Sequence, residues 1–132
     1  MNPQVIAMPT LVRPVPPLPG LPDHLEYELN GIDDDGTLFT LRSATDPNVR
    51  LFVVRPEVFF ANYTPEFGTS TREALGLAAG DDPLLLVVVH PGYDEVPTTA
   101  NLLAPLIINL ATGAATQVVL DSTDWPMQAP LG

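Results

Sequence analysis

Thr99-Ala-Asn-Leu-Leu-Ala-Pro105-Leu-Ile-Ile-Asn109 is followed by Leu110-Ala-Thr-Gly113-Ala-Ala-Thr-Gln117-Val-Val-Leu120-Asp121, and Pro130-Leu131 stand near the end of the chain. Two apolar runs flank a small-residue turn, so Leu103 to Leu110 and Thr116 to Asp121 predict a hairpin joined by residues 111–115. Asn101 and Asn109 bracket the first run. Asparagine at the end of a strand typically bonds nearby backbone, so both read as architecture. No catalytic scheme requires this pattern, whereas an all-β scaffold does.

Working outward, Leu84 to His90 is apolar on both faces, as a central strand must be when both its sides are covered. His24 to Leu29, Thr37 to Arg42 and Val49 to Arg55 alternate or carry β-branched residues, which predicts three further strands. Asn30-Gly31, residues 33–36 and Asp46-Pro47-Asn48 supply turn chemistry between them. Pro91-Gly92 turns the chain again, and residues 94–100 read as a polar loop. Pro56 to Phe60 predicts one helical turn, because proline suits the first helical position. Thr71 to Leu77 predicts a second short helix, capped by Ser70 or Thr71. Several short strands at close spacing predict a small single-domain, all-β, barrel-like fold of short antiparallel strands with one or two short helices.

The first 17 residues are different. Seven prolines stand between Pro3 and Pro22. Proline lacks the amide donor of a central strand, so residues 1–17 read as an extended N-terminal arm, with edge-strand pieces at Val5 to Ala7 and Leu11 to Val15. Residues 18–132 read as the β domain. At 132 residues and 45% apolar composition the chain suits one folded core. No apolar run approaches a membrane span, and no basic leader with an unbroken apolar segment begins the chain, so a cytoplasmic location is expected.

The net charge is -11, and the basic face that nucleic-acid binding needs is not made by five scattered arginines. All five basic residues are arginines, at 13, 42, 50, 55 and 72. The acidic balance fits either simple solubility or a basic protein partner steered in by the field. The absence of cysteine removes disulfides, thiolate metal sites and a cysteine nucleophile. Residues 33–36, Asp-Asp-Asp-Gly, resemble the start of a calcium loop, but Ala44 stands where the twelfth-position glutamate would be. His24 and His90 have no histidine or cysteine at ligand spacing. A triad of a hydroxyl residue with His90 and Asp94 or Asp121 can be drawn, but there is no nucleophile elbow and no nucleotide-binding loop. No cofactor or metal is expected.

Taken together, these segments resemble the flagellar assembly factor FliW family. Leu18-Pro19-Gly20-Leu21 is similar to the family's Ile-Pro-Gly-Phe segment, and Leu41-Arg42-Ser43 to its Leu-Gln-Ser. Phe52 to Pro56 with Phe59-Phe60 and Tyr63 resembles its Val-Val-Asp-Pro…Phe-Phe…Tyr element. Ala100-Asn101-Leu102, Ala104-Pro105, Ile107-Ile108-Asn109 and Gln117 to Leu120 match its strongest signature, and Pro130-Leu131 its closing pair. Trp125 stands where a tyrosine is usual, Arg55 replaces the acid of the Asp-Pro pair, and Arg42 replaces a glutamine.

The resemblance implies a β-barrel-like protein without enzymatic activity. Such proteins bind flagellin and the translational regulator CsrA, and so relieve repression of flagellin mRNA. An acidic protein docked beside the RNA-binding surface of CsrA would raise the cost of phosphate approach. The expected partner site is aromatic: Phe59, Phe60 and Tyr63, with Asp94 and Asn101 nearby if the loops converge. Three rival readings remain at this point. One is a small acidic barrel that binds a metabolite or metal ion. Another is an enzyme using His90 with carboxylates, and the third is a FliW-like domain with a different protein partner.

Overall fold

The computed structural model describes residues 10–15, 17–18, 21, 23–32, 36–63, 65, 68–77, 83–120 and 125–131. Nine strands run in chain order: β1 Thr10–Pro14, β2 Tyr27–Gly31, β3 Leu38–Ser43, β4 Arg50–Val54, β5 Leu84–His90, β6 Thr99–Ala100, β7 Leu106–Ile108, β8 Ala114–Gln117 and β9 Ala129–Pro130. A one-turn 3-10 helix, Pro56–Val58, and a short helix α1, Thr69–Ala74, interrupt them. The two expected helical segments are thus both present. Among the described residues the metal-loop reading of residues 33–35 and the Val5–Ala7 strand cannot be placed, since both lie outside them.

Seven strands close into a barrel in the order β1-β2-β3-β4-β5-β7-β8, with β8 returning to β1. Every ladder of the ring is antiparallel except β1–β8, which is parallel, pairing Arg13 with Ala114 and Pro14 with Ala115. β6 pairs with the end of β5, and β9 pairs with β6, so these two form a flap beside the ring.

Side-chain alternation explains why the barrel has two apolar layers. Phe39 and Leu41 of β3, Val53 of β4, Leu84 and Leu86 of β5, and Leu106 and Ile108 of β7 fill the interior with Val12, Tyr27 and Leu29. The alternate residues Val54, Val87 and Val89 point outward, yet they are buried under Tyr63, Leu102, Leu120 and Ala129. β5 is therefore apolar on both faces for the reason anticipated: one face meets the barrel core and the other meets a cover of loops and flap.

Proline placement follows donor arithmetic. The amides of Arg13 and Val15 donate to Gly113 O and Ala115 O, each at 2.8 Å. The nitrogen of Pro14 consequently faces the β2 side, past the last β1–β2 pair at Val12 and Tyr27, where no donor is needed. This is how a proline-rich segment supplies a strand paired on both sides, where edge pairing was expected. Pro130 obeys the same rule. Leu131 N donates to Thr98 O at 3.0 Å, so the nitrogen at 130 faces the open edge of β9 and blunts it.

Several boundaries differ from expectation. Asn30-Gly31 ends β2 as paired strand, Gly31 opposite Phe39, and is not a turn. The polar loop at 94–100 ends in β6. Ala114 and Ala115 belong to β8, because residues 110–113 complete the tight turn, with Gly113 at φ +82°. The predicted hairpin continues past the regular strands through Val118 N to Pro105 O and Leu120 N to Leu103 O. Helix α1 starts at Gly68 with no side-chain cap, so neither Ser70 nor Thr71 serves as one. Gly76, at φ +70°, stops it in the left-handed conformation that favours glycine.

Candidate functional site

The aromatic cluster after β4 is divided by the turn that carries it. Pro56 starts the 3-10 turn, and the amides of Phe59 and Phe60 both donate to Pro56 O. This tight geometry sends the neighbouring rings in different directions. Phe60 packs half-buried against the outer apolar layer, whereas Phe59 remains 44% exposed. Tyr63 is buried. Its hydroxyl donates to Leu102 O at 2.7 Å, and its ring meets Trp125 edge-on, centroids 4.7 Å apart. Burial pushes the Tyr63 phenol well above its ordinary pKa. Trp125, at the position where a tyrosine is usual, thus completes an edge-to-face pair that seals the cover.

Phe59 stands over an apolar groove of about 420 Å³ on the outer face of β3, β4 and β5. Leu38, Phe52, Val54 and Val89 form its floor, and Pro91 and Leu131 its sides. These residues were not singled out from the sequence. The signal was present in β4, where Phe52 and Val54 alternate with Leu51 and Val53 and make both faces apolar.

The remaining expected site residues do not converge with Phe59. Asp94 sits exposed at the tip of a tight turn between Tyr93 and Val96, with φ +50°. Asn101 accepts a bond from Leu103 N through Oδ1 at 3.1 Å, and it lines a different cavity, at one mouth of the barrel, with Leu41, Leu51, Val88 and Met127. Tyr63 borders a third cleft beside Arg55 and Pro83. Phe59 and Phe60 therefore have different surroundings, and the five residues do not make one surface.

Both asparagines act on backbone, as their positions implied. Asn109 donates from Nδ2 to Leu75 O at 2.7 Å and accepts from Ala111 N at 3.0 Å, tying the end of α1 to the β7–β8 turn. The arginine departures also have structural partners or neighbours. Arg55 Nε donates to Gly36 O at 2.8 Å, and its guanidinium lies 5.8 Å from the centroid of Phe39, closing the far end of the barrel. Arg42 faces Arg50 across the β3–β4 ladder.

For chemistry the described residues offer little. No group of three or more His, Cys, Asp or Glu among them is placed to hold a metal ion. His90 is exposed at the end of β5. The serine–histidine contact that does occur joins Ser43 Oγ and His24 Nδ1 at 2.7 Å. Ser43 is buried, and its oxygen also accepts from Thr45 N and Asp46 N, so it organises the β3–β4 turn.

Comparison with known proteins agrees with this architecture. The family model described as FliW protein matches residues 4–131. The flagellar assembly factor FliW of Bacillus subtilis (strain 168) is 30% identical over 115 residues, covering 87% of this chain and 80% of that protein. Flagellar assembly factor FliW 2 of Desulfotalea psychrophila is 30% identical over 114 residues, covering 86% of this chain and 75% of that one. A crystal structure of the flagellar assembly factor FliW superposes with a TM-score of 0.83 at 25% identity, over 97% of this chain and 89% of the other. With the closed seven-stranded barrel, its flap and the family signature matched through nearly the whole sequence, this chain belongs to the FliW family.

Proposed function

We propose that this protein is a non-enzymatic, protein-binding regulator of flagellar assembly. It binds flagellin, and it opposes CsrA so that flagellin mRNA is translated. The observation that carries the reading is family membership across residues 4–131, because the relatives are flagellar assembly factors. The groove beneath Phe59 supports it from the structure: an exposed aromatic above a pre-formed apolar floor is what a protein anchor site requires. The net charge of -11 supports a basic partner, drawn in by long-range attraction that salt weakens. The work would be done in the cytoplasm, where CsrA and its mRNA are. No helix among the described residues is long and apolar enough to cross a membrane.

Co-purification with the tagged protein from flagellated cells tests this directly. Flagellin or CsrA is expected in the eluate, and the purified protein is expected to reduce CsrA occupancy of a flagellin leader RNA. Capture of neither protein, together with unchanged RNA binding by CsrA, would remove the reading.

A further inference from the structure

The outer face of β3 and β4 grades from apolar to cationic. Three successive cross-strand pairs share that face: Leu38 with Val54, Thr40 with Phe52, and Arg42 with Arg50. The first pair lies in the groove beneath Phe59, and Phe52 of the second forms part of its floor. The third places two like charges directly opposite each other, an arrangement that destabilises a ladder. Arg50 is held against Phe52, its guanidinium 5.5 Å from the ring centroid. The Nε of Arg42 is buried and has no hydrogen-bond partner.

Neither guanidinium makes an ion pair among the described residues. Arg13 lies 3.9 Å from the Glu26 carboxylate, and Arg55 donates to Gly36 O. Glu28 faces Arg42 on its other side across the β2–β3 ladder, but no ion pair joins them among the described residues. In a chain of net charge -11, two arginines facing each other with one acid, Glu28, on the next strand leave this end of the face locally positive.

We propose that the groove and the Arg42–Arg50 pair form one docking site, and that its occupant is an apolar segment of a partner protein carrying carboxylates at one end. The inference rests on the protein-binding reading above and adds the chemistry of the segment. Apolar side chains occupy the Leu38–Val54 end beneath Phe59. The carboxylates lie about 14 Å away, the length of four strand residues, where they accept charge-assisted bonds from the two guanidinium groups. Binding screens the like-charge pair. A basic segment is drawn to the molecule as a whole but is repelled from this end of the groove. The site therefore separates an acidic-apolar ligand from a basic one by position.

Two fluorescent ten-residue peptides test the proposal, both with the same leucines and ending in either glutamates or lysines. Anisotropy is expected to show the glutamate peptide binding at least about tenfold tighter. In the R42Q/R50Q double variant that preference is expected to vanish while the melting temperature stays level or rises, because the like-charge pair is gone. Phe59→Ala is expected to weaken the glutamate peptide without changing the fold. Equal or tighter binding of the lysine peptide, a preference retained in R42Q/R50Q, or no binding of the glutamate peptide up to millimolar concentration would overturn the proposal. Titration with purified flagellin and purified CsrA separates the two levels of inference. If neither binds the wild-type protein, the proposed function fails. If one binds wild type and R42Q/R50Q equally, the function stands and this site assignment fails.

Discussion

Phe59 and Phe60 differ by one position and have opposite duties. The 3-10 turn at Pro56–Val58 packs one ring half-buried in the outer layer and leaves the other 44% exposed over the groove. Phe59→Ala should change the unfolding free energy by no more than about 0.5 kcal/mol, as surface substitutions do, while weakening partner binding. Denaturant melts beside a binding titration check this. Phe60→Ala should instead destabilise, since its ring packs against the cover. Tyr63→Phe should cost about 1 kcal/mol in a denaturant melt, the usual net contribution of one hydrogen bond, by leaving Leu102 O without its donor. The site residues were only partly legible for a physical reason. Which side of a turn a ring takes depends on φ and ψ after proline, and residue type alone does not specify them.

At the scale of elements, closure of the barrel depends on the shortest ladder. β1 and β8 meet in parallel where Gly113 lets the chain turn close beneath β1. A Cβ at 113 would lie 2.4 Å from Leu11 O, and its backbone holds φ +82°. Gly113→Ala should therefore cost at least about 2 kcal/mol, combining backbone strain with a clash that β1 cannot relieve without leaving β8. Hydrogen exchange should then show early loss of protection at Arg13 and Val15, whose amides cross this ladder. The strands with strong alternation, β3, β4 and β5, were readable to within a residue or so because each contributes a full apolar set to a core. β6 and β9 were not, since two-residue strands have no period to detect. The parallel ladder was also hidden: periodicity identifies a strand but not the direction of its neighbour.

The whole molecule offers an unusually clean alkaline titration. It has no lysine and no cysteine, so its side chains that ionise near pH 10 are tyrosines. Burial raises the pKa of both Tyr27 and Tyr63. The folded protein thus keeps protons that the unfolded chain loses above about pH 10, and stability falls as pH rises through that point. Below it, both states hold the phenol protons and these groups leave stability constant. Each buried phenol should contribute a slope of up to about 1.4 kcal/mol per pH unit, seen as a drop in denaturant midpoint that accompanies delayed phenolate absorbance. Replacing Tyr27 by Phe should remove part of that slope and raise stability, because its buried hydroxyl has no partner.

The central structural claim is that the outer face of β3, β4 and β5, with Phe59 above it, is where a flagellar partner docks. Resonance mapping during titration with purified flagellin tests it most directly. The account predicts shifts concentrated at Leu38, Phe52, Phe59, Val89 and Leu131. Shifts confined to the barrel mouth around Leu41, Asn101 and Met127, with the Phe59 groove unperturbed, would contradict it.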